Sequence, residues 1–248
     1  MRKTVLAVVV VVIVLAGGGR SLQAQEEQPP PEPAWSGSLG LAYLATSGNS
    51  DTSTFGLDFE LKRDADPWGM ELVAQLNQAS DSGVKTAERY YADGRATYAA
   101  SERWQYYAGL SGERNTFAGY DMRTVVQAGA QYILLPGPTQ NLKVNAGLTY
   151  TDENAVGDEP STDYVGGVAG LTYQWKINDQ ASLSEKLTYF ADFDATANWR
   201  LWSTTALTSS VTNRLAIKLS YEVRYSNTPL PGFQSTDTTT SASVVWKI

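Results

Sequence analysis

The sequence predicts an all-β fold, an antiparallel up-and-down transmembrane β-barrel of about 12 strands, on three observations. Apolar and polar side chains alternate through segment after segment, tight connections alternate with longer ones, and no segment beyond residue 24 has an apolar run long enough to cross a bilayer as a helix. Successive strand side chains point to opposite faces, so the alternation gives each strand one greasy and one water-compatible face. Lipid offers the backbone no hydrogen-bond partners, which restricts spanning structures to helices and closed barrels.

The first 35 residues stand apart from this pattern. Met1, Arg2 and Lys3 precede an apolar run from Val5 to Ala16, followed by three glycines and Leu22-Gln23-Ala24. That order reads as a secretory signal peptide over residues 1–24, cleaved after Ala24 and exported through the Sec pathway. The run is shorter than the roughly 20 residues of a spanning helix; an uncleaved N-terminal anchor is the alternative. Residues 25–35 begin QEEQPPPEPA, a Pro- and Glu-rich linker with nothing to bury and an expected lack of order. Residues 36–248 are then the barrel domain.

Along that domain the strand-like segments fall near 36–46, 52–63, 69–78, 88–99, 103–114, 121–134, 142–152, 162–175, 181–191, 198–210, 214–225 and 236–248. In the second, Phe55, Leu57, Phe59 and Leu61 oppose Asp58, Glu60 and Lys62. The third to sixth carry Glu71, then Arg89, Asp93 and Arg95, then Glu113, then Arg123 on their polar faces. In the seventh, Leu142, Val144, Ala146, Leu148 and Tyr150 oppose Lys143, Asn145, Gly147 and Thr149. The tenth contributes Arg200. The eleventh, LAIKLSYEVRY, sets Leu215, Ile217, Leu219, Tyr221, Val223 and Tyr225 against Lys218, Ser220, Glu222 and Arg224. In the last, Ala242, Val244, Trp246 and Ile248 share a face. Ten or fourteen strands are the alternatives to twelve.

The ninth segment breaks the pattern, because Glu185 shares a face with Leu183, Leu187 and Tyr189. A basic group facing lipid at the midplane costs about 2–4 kcal/mol, and a carboxylate less. A bulge, an interfacial position or a shift of register would resolve this, the last two being favoured.

Connections after even segments are tight, as at Asp64 to Trp68, Ala100 to Glu102, Lys176 to Gln180 and Val211 to Asn213. Those after odd segments are longer, as at Ala79 to Ala87, Asn115 to Tyr120, Glu153 to Ser161 and Ser226 to Ser235. Short turns on one side and longer loops on the other are the habit of Gram-negative outer-membrane barrels. Aromatic residues gather at strand ends: Tyr98, Trp104, Tyr132, Trp175 and Trp246 on the turn side, and Phe55, Tyr90, Tyr150, Trp199 and Tyr225 on the loop side. These are the two expected interfacial girdles.

Composition narrows the chemistry. Losing residues 1–24 removes Arg2, Lys3 and Arg20 from 19 basic side chains and nothing from 26 acidic ones, moving the formal charge from −7 to −10. Nucleic acid is therefore an unsuitable partner. With no cysteine there is no disulfide, thiolate metal site or lipidated cysteine. With no histidine, the usual general base of barrel hydrolases and acyl transferases is missing. The carboxylate pairs Asp192 with Asp194 and Asp152 with Glu153 read as solvated loop residues. No catalytic, metal or cofactor site is expected, and the chain reads as a non-enzyme.

What remains is the inner face. Asp58, Glu60, Lys62, Arg95, Lys143, Lys218, Glu222 and Arg224 are candidate lumen-lining residues. They either border a hydrated pore and tune its selectivity, or interlock as ion pairs that fill a closed lumen.

Several stretches carry a family resemblance: Gly48-Asn49-Ser50-Asp51-Thr52, Lys85 to Tyr91, Glu113 to Arg123 with its Phe117-Ala118-Gly119-Tyr120-Asp121 core, and Gly147 to Glu153. Over roughly residues 36–248 the chain resembles the DUF481 family, described as salt-induced outer-membrane proteins. The resemblance implies an outer-membrane barrel and supplies no catalytic residues. The motifs cluster at loop-side strand ends, where Arg89, Glu113, Arg114, Asp121 and Arg123 are expected to form an ionic network at the external rim. The expected function is a passive channel or envelope-integrity role linked to salt or osmotic stress, with a closed-lumen structural or binding barrel acting through its external loops as the alternative. The expected partners are outer-membrane lipid and, during biogenesis, the barrel-assembly machinery, the mature barrel being a monomer.

Overall fold

The computed structural model describes residues 35–47, 52–64, 66–81, 84–157 and 160–247. The expected signal peptide, the linker up to residue 34 and the terminal Ile248 lie outside the described residues. The strands are β1 (Trp35–Ser47), β2 (Thr52–Arg63), β3 (Trp68–Asp81), β4 (Val84–Ala99), β5 (Trp104–Asn115), β6 (Tyr120–Pro136), β7 (Gln140–Ala155), β8 (Thr162–Lys176), β9 (Ala181–Asp192), β10 (Trp199–Ser210), β11 (Leu215–Ser226) and β12 (Thr236–Lys247). Each pairs antiparallel with the next, and β12 pairs with β1 to close the barrel. Closure leaves no strand edge unpaired.

The chain is built inside out relative to a water-soluble protein. Outward positions hold exposed apolar side chains such as Leu41, Leu110, Leu148 and Val244, whereas Glu113, Arg123 and Arg200 face inward and are each only 4% exposed. An apolar outer wall around a charged interior suits a lipid exterior and no other solvent. The strand Leu215 to Tyr225 shows the rule: Ile217, Leu219 and Tyr221 are exposed on the outside, while Lys218, Glu222 and Arg224 are drawn inward.

Aromatic pairs mark both ends of the wall. On the turn side Trp68 packs on Tyr98 at 5.0 Å and Trp104 on Tyr132 at 4.8 Å, as ring-centroid distances. On the loop side Trp199 bridges Tyr189 at 5.8 Å and Tyr225 at 4.9 Å. The side chain of Phe55 lies outside the described residues. In the exposed turn after β8, Lys176 reaches Asp179 at 2.7 Å. That hydrogen bond, with the ammonium charge, holds the Asp179 carboxyl below its ordinary range.

Two local expectations are corrected. The longer connection expected over Ala79 to Ala87 gives way to continued pairing, ending at Asp81 opposite Val84 after a register shift between Ala79 and Ser80. Extending the ladder lets these backbone groups bond to each other, so only residues 82–83 separate the two strands. At Glu185 a register change, one of the two favoured readings, is not found. Glu185 pairs in continuous register with Tyr173 on β8 and Thr205 on β10, and it stays on the outer wall. Its carboxylate accepts hydrogen bonds from the Ser203 hydroxyl at 2.8 Å and the Thr205 hydroxyl at 2.5 Å.

Candidate functional site

The inward-facing charge that is buried concentrates in the loop-side half of the barrel, and antiparallel register explains how it gathers. Glu113 lies opposite Arg123 between β5 and β6, and Arg123 lies opposite Glu153 between β6 and β7, so three charged positions share one level of the wall. Arg123 Nε donates to Glu153 Oε1 at 2.8 Å, and Arg123 Nη1 stands 3.8 Å from Glu113 Oε2. Arg89 Nε on β4 donates to Glu113 Oε1 at 2.9 Å. These contacts run along the wall.

Other contacts cross the interior. Arg224 on β11 donates to the same Oε1 of Glu113 on β5. Those two strands stand six steps apart in both directions around the closed order, so this ion pair spans a diameter. Arg224 Nε also donates to its strand neighbour Glu222 at 2.8 Å, and Glu222 lies 3.8 Å from Arg89 Nη1 on β4. Arg200 on β10 donates to Glu153 on β7 at 3.0 Å, and the Tyr164 hydroxyl donates to the same oxygen at 2.9 Å. Together these groups form a septum of ion pairs strung between opposite walls.

Aromatic rings fill the gaps between the guanidinium groups. Arg224 lies over Trp202 at 4.3 Å, Arg123 over Tyr120 at 3.4 Å, and Arg200 over Phe190 at 5.2 Å from the ring centroid. Such stacking favours arginine, whose planar, weakly hydrated cation suits a ring face. The side chains of Arg89, Glu113, Arg123, Glu153, Arg200, Glu222 and Arg224 are all at most 19% exposed. A wide hydrated pore at this level would leave them wet; they are instead packed against one another.

Above the septum the mouth is laced by its loops. Asn227 Nδ2 donates to the Ala197 carbonyl at 2.9 Å, and the Thr228 hydroxyl to Asn198 Oδ1 at 3.1 Å, which ties the β11–β12 loop to the β9–β10 loop. The same loop then reaches across to Gly119, which follows a short 3-10 turn (Thr116–Ala118) between β5 and β6. A Cβ placed on Gly119 would lie 2.7 Å from Leu230 Cδ1 and 3.3 Å from Phe233, and Gly119 has φ of 93°. Only glycine accepts both that backbone conformation and that approach. The β5–β6 and β11–β12 hairpins sit on opposite sides of the ring, so this contact spans the mouth directly over the Glu113–Arg224 bridge.

The turn-side half is different. Glu60, Lys62, Arg95 and Lys143 line a cavity of about 150 Å³, with Glu71 and Lys186. Lys62 and Lys143 also border a more open space of about 540 Å³ toward the tight turns. Arg95 stacks on Tyr107 at 4.0 Å, and Tyr107 lies against a cleft where Gly129 and Gly147 face each other. The interior is thus an open, charge-lined vestibule below and a packed septum above.

Of the residues singled out from sequence, Glu222 and Arg224 from the lumen set join Arg89, Glu113 and Arg123 from the rim set in one inward cluster. Arg114 and Asp121 form a separate exposed pair at 3.2 Å. Asp58 and Lys218 face inward without entering the septum contacts described above. Two expectations of solvation are corrected. Glu153 lies within β7, where the longer strand turns it into the septum. Asp192 is 6% exposed and accepts from the amides of Asp194 and Ala195 and from Asn198 Nδ2, which satisfies a carboxylate that water would otherwise hold. Sequence reasoning also missed Trp202, Leu230 and Phe233. The inward parity of Trp202 was a usable signal; nothing local announces a loop that folds across a mouth.

Comparison with known proteins agrees with this architecture. Over 195 residues the chain is 24% identical to the uncharacterized protein YdiY of Escherichia coli (strain K12), covering 79% of this chain and 75% of that protein. The structure is similar to that of the NanC porin, with a TM-score of 0.59 at 9% identity, covering 85% of this chain and all of that one. At that identity the likeness is one of fold. Residues 39–248 match the family described as "Protein of unknown function, DUF481", and the chain belongs to that family.

Proposed function

We propose that this protein is an outer-membrane barrel that rests closed, its lumen sealed by the ionic septum and its loops presented to the exterior as a structural or binding surface. The observation that carries this reading is the Glu113–Arg224 pair, which joins opposite walls where a passive pore needs open water. Losing one partner of a buried ion pair leaves the other charge uncompensated, so the septum acts as a cooperative unit that stays shut until one member is lost. The absence of histidine from the sequence supports a non-enzymatic role. An envelope-integrity role under salt stress fits a closed wall, because a buried ion-pair network is screened far less by added salt than surface pairs are.

Lipid surrounds the apolar wall in this reading, and the strands are delivered to the outer membrane after export and folded there by the barrel-assembly machinery. Single-channel recording in a planar bilayer tests the closed state. The wild-type protein, shown to be inserted by its heat-dependent migration on a denaturing gel, should give no regular conductance steps, and Arg224→Gln should produce them. Frequent large steps from the wild-type protein would replace this reading with that of a passive channel.

A further inference from the structure

The charges of the vestibule are sorted by side and left unpaired. Below the septum the inward strand positions of β2 to β4 supply Asp58, Glu60, Glu71 and Asp93, whereas those of β7 to β11 supply Lys143, Lys186 and Lys218 and no carboxylate. Among the described residues none of these seven is ion-paired, although every charge of the septum is. At the turn-side end Lys62 is engaged by Asp64 at 3.2 Å and Arg63 by the Trp35 ring at 5.7 Å. With Arg95 on β4, the open charges of the vestibule balance, as two signs held apart.

The separation is sharpest directly under the septum. Glu71 lies opposite Lys62 on one side and Arg95 on the other, and neither closes on it: Lys62 turns to Asp64, and Arg95 lies over the Tyr107 ring at 4.0 Å. Glu71, Asp93, Arg95 and Lys186 line one cavity of about 60 Å³, with the rings of Tyr91, Phe190 and Trp202. Trp202 also lines the small space on the loop side of the septum, which makes it part of the roof. Lys186 enters from β9, five strands from Asp93 on β4 around the closed order, so opposite charges face each other over space. The cavity shares Glu71, Arg95 and Lys186 with the one of about 150 Å³, which in turn shares Lys62 and Lys143 with the open space toward the turns. A small solute thus has a polar route inward from the turn side.

We infer that this cavity binds a small zwitterion, a net-neutral solute that carries an ammonium and a carboxylate. A simple anion would meet four carboxylates in the vestibule and a simple cation four basic groups, whereas a dipolar molecule satisfies both signs at once. Glu71 and Asp93 accept from the ammonium, and Arg95 and Lys186 donate to the carboxylate. The rings add faces that attract a cation. Fixed charges of opposite sign across a partly enclosed space direct a field over it, and that field orients a dipole as it enters. The site needs only the vestibule, so conductance or silence in a bilayer leaves it standing.

Saturation-transfer NMR on the folded protein in detergent micelles tests the site, with glycine, acetate and methylammonium as probes at equal concentration. Glycine joins both charges in one molecule and should give a signal that levels off on titration, several-fold stronger than that of acetate or methylammonium. Lys186→Met should weaken the glycine signal several-fold and raise that of methylammonium, and Asp93→Asn should weaken it likewise and raise that of acetate. Both variants should keep the heat-dependent gel migration of the barrel, and Arg114→Gln on the outer rim should leave all three signals unchanged. The inference is overturned by a folded wild-type protein that gives glycine no signal, by acetate or methylammonium matching glycine, or by a glycine signal undiminished in the two folded vestibule variants. Should either variant fail to fold, the comparison of the three probes on the wild-type protein decides alone.

Discussion

Glu113 on β5 and Arg224 on β11 are ion-paired across the full diameter of the barrel, although 111 residues separate them along the chain. Glu113 is the hub of the septum, shared by Arg89, Arg123 and Arg224 from three strands. Removing one member of a buried ionic set costs about 3–5 kcal/mol, because the partners left behind stay desolvated without compensation. Glu113→Gln takes the shared carboxylate from three guanidinium groups, leaving them only Glu153 and Glu222, and should lower barrel stability by that amount, read as a shift in the urea midpoint of the refolded protein in lipid. Glu113→Gln combined with Arg224→Gln should cost less than the sum of the single changes, since the two act as one unit.

The exposed pair Arg114–Asp121 provides the contrast. Its side chains are 48% and 58% exposed, and surface pairs of this kind contribute about 0–1 kcal/mol. Asp121→Asn should leave the urea midpoint within error and should lose what little effect it has in high salt. A shift comparable with that of Glu113→Gln would mean that the strength assigned to the buried cluster belongs to the rim.

The β11–β12 loop yields a prediction about access from outside. Gly119 combines a left-handed backbone with Leu230 2.7 Å from where a Cβ would sit. Gly119→Val imposes a conformational penalty of about 1–2 kcal/mol and a steric clash with the loop at once. The loop should lift from the mouth, so protease cleavage within residues 227–235 should accelerate in reconstituted vesicles while the strands stay protected. Unchanged cleavage would show that the contact with Gly119 does not hold the loop down.

Much of the fold was legible because side-chain parity is local information. The run from Leu215 to Tyr225 assigns its own faces, and the even number of such runs, with short turns alternating, implies closure. The site was legible only in part. Parity placed Glu113, Glu222 and Arg224 on the inside, but which of them meet depends on barrel diameter and stagger, which no single strand encodes. Glu153 was lost for a different reason: hydrophobic alternation fades near the membrane boundary, while backbone pairing continues beyond it. Glu185 is the converse case, where parity was right and a shifted register, one of the two readings that chemical plausibility favoured, is not what the strand adopts.

The glycine cleft under Tyr107 gives a final test below the septum. Gly129 and Gly147 are paired across β6 and β7 on the inner face, and Tyr107 lies over both. A Cβ on Gly147 would stand 2.6 Å from the Tyr107 hydroxyl and 2.4 Å from the Ala128 carbonyl oxygen, so it meets a side chain and the neighbouring backbone together. Tyr107 in turn accepts from Asn145 Nδ2 at 3.3 Å and supports the Arg95 guanidinium, so its displacement spreads to both. Overpacking of this kind costs about 1–3 kcal/mol. Gly147→Ala should therefore lower the urea midpoint, and truncating the ring as well, in Tyr107→Ala combined with Gly147→Ala, should recover only the part owed to the side chain. If Gly147→Ala is neutral, the strands there have room to separate, and the cleft does not fix the position of Tyr107.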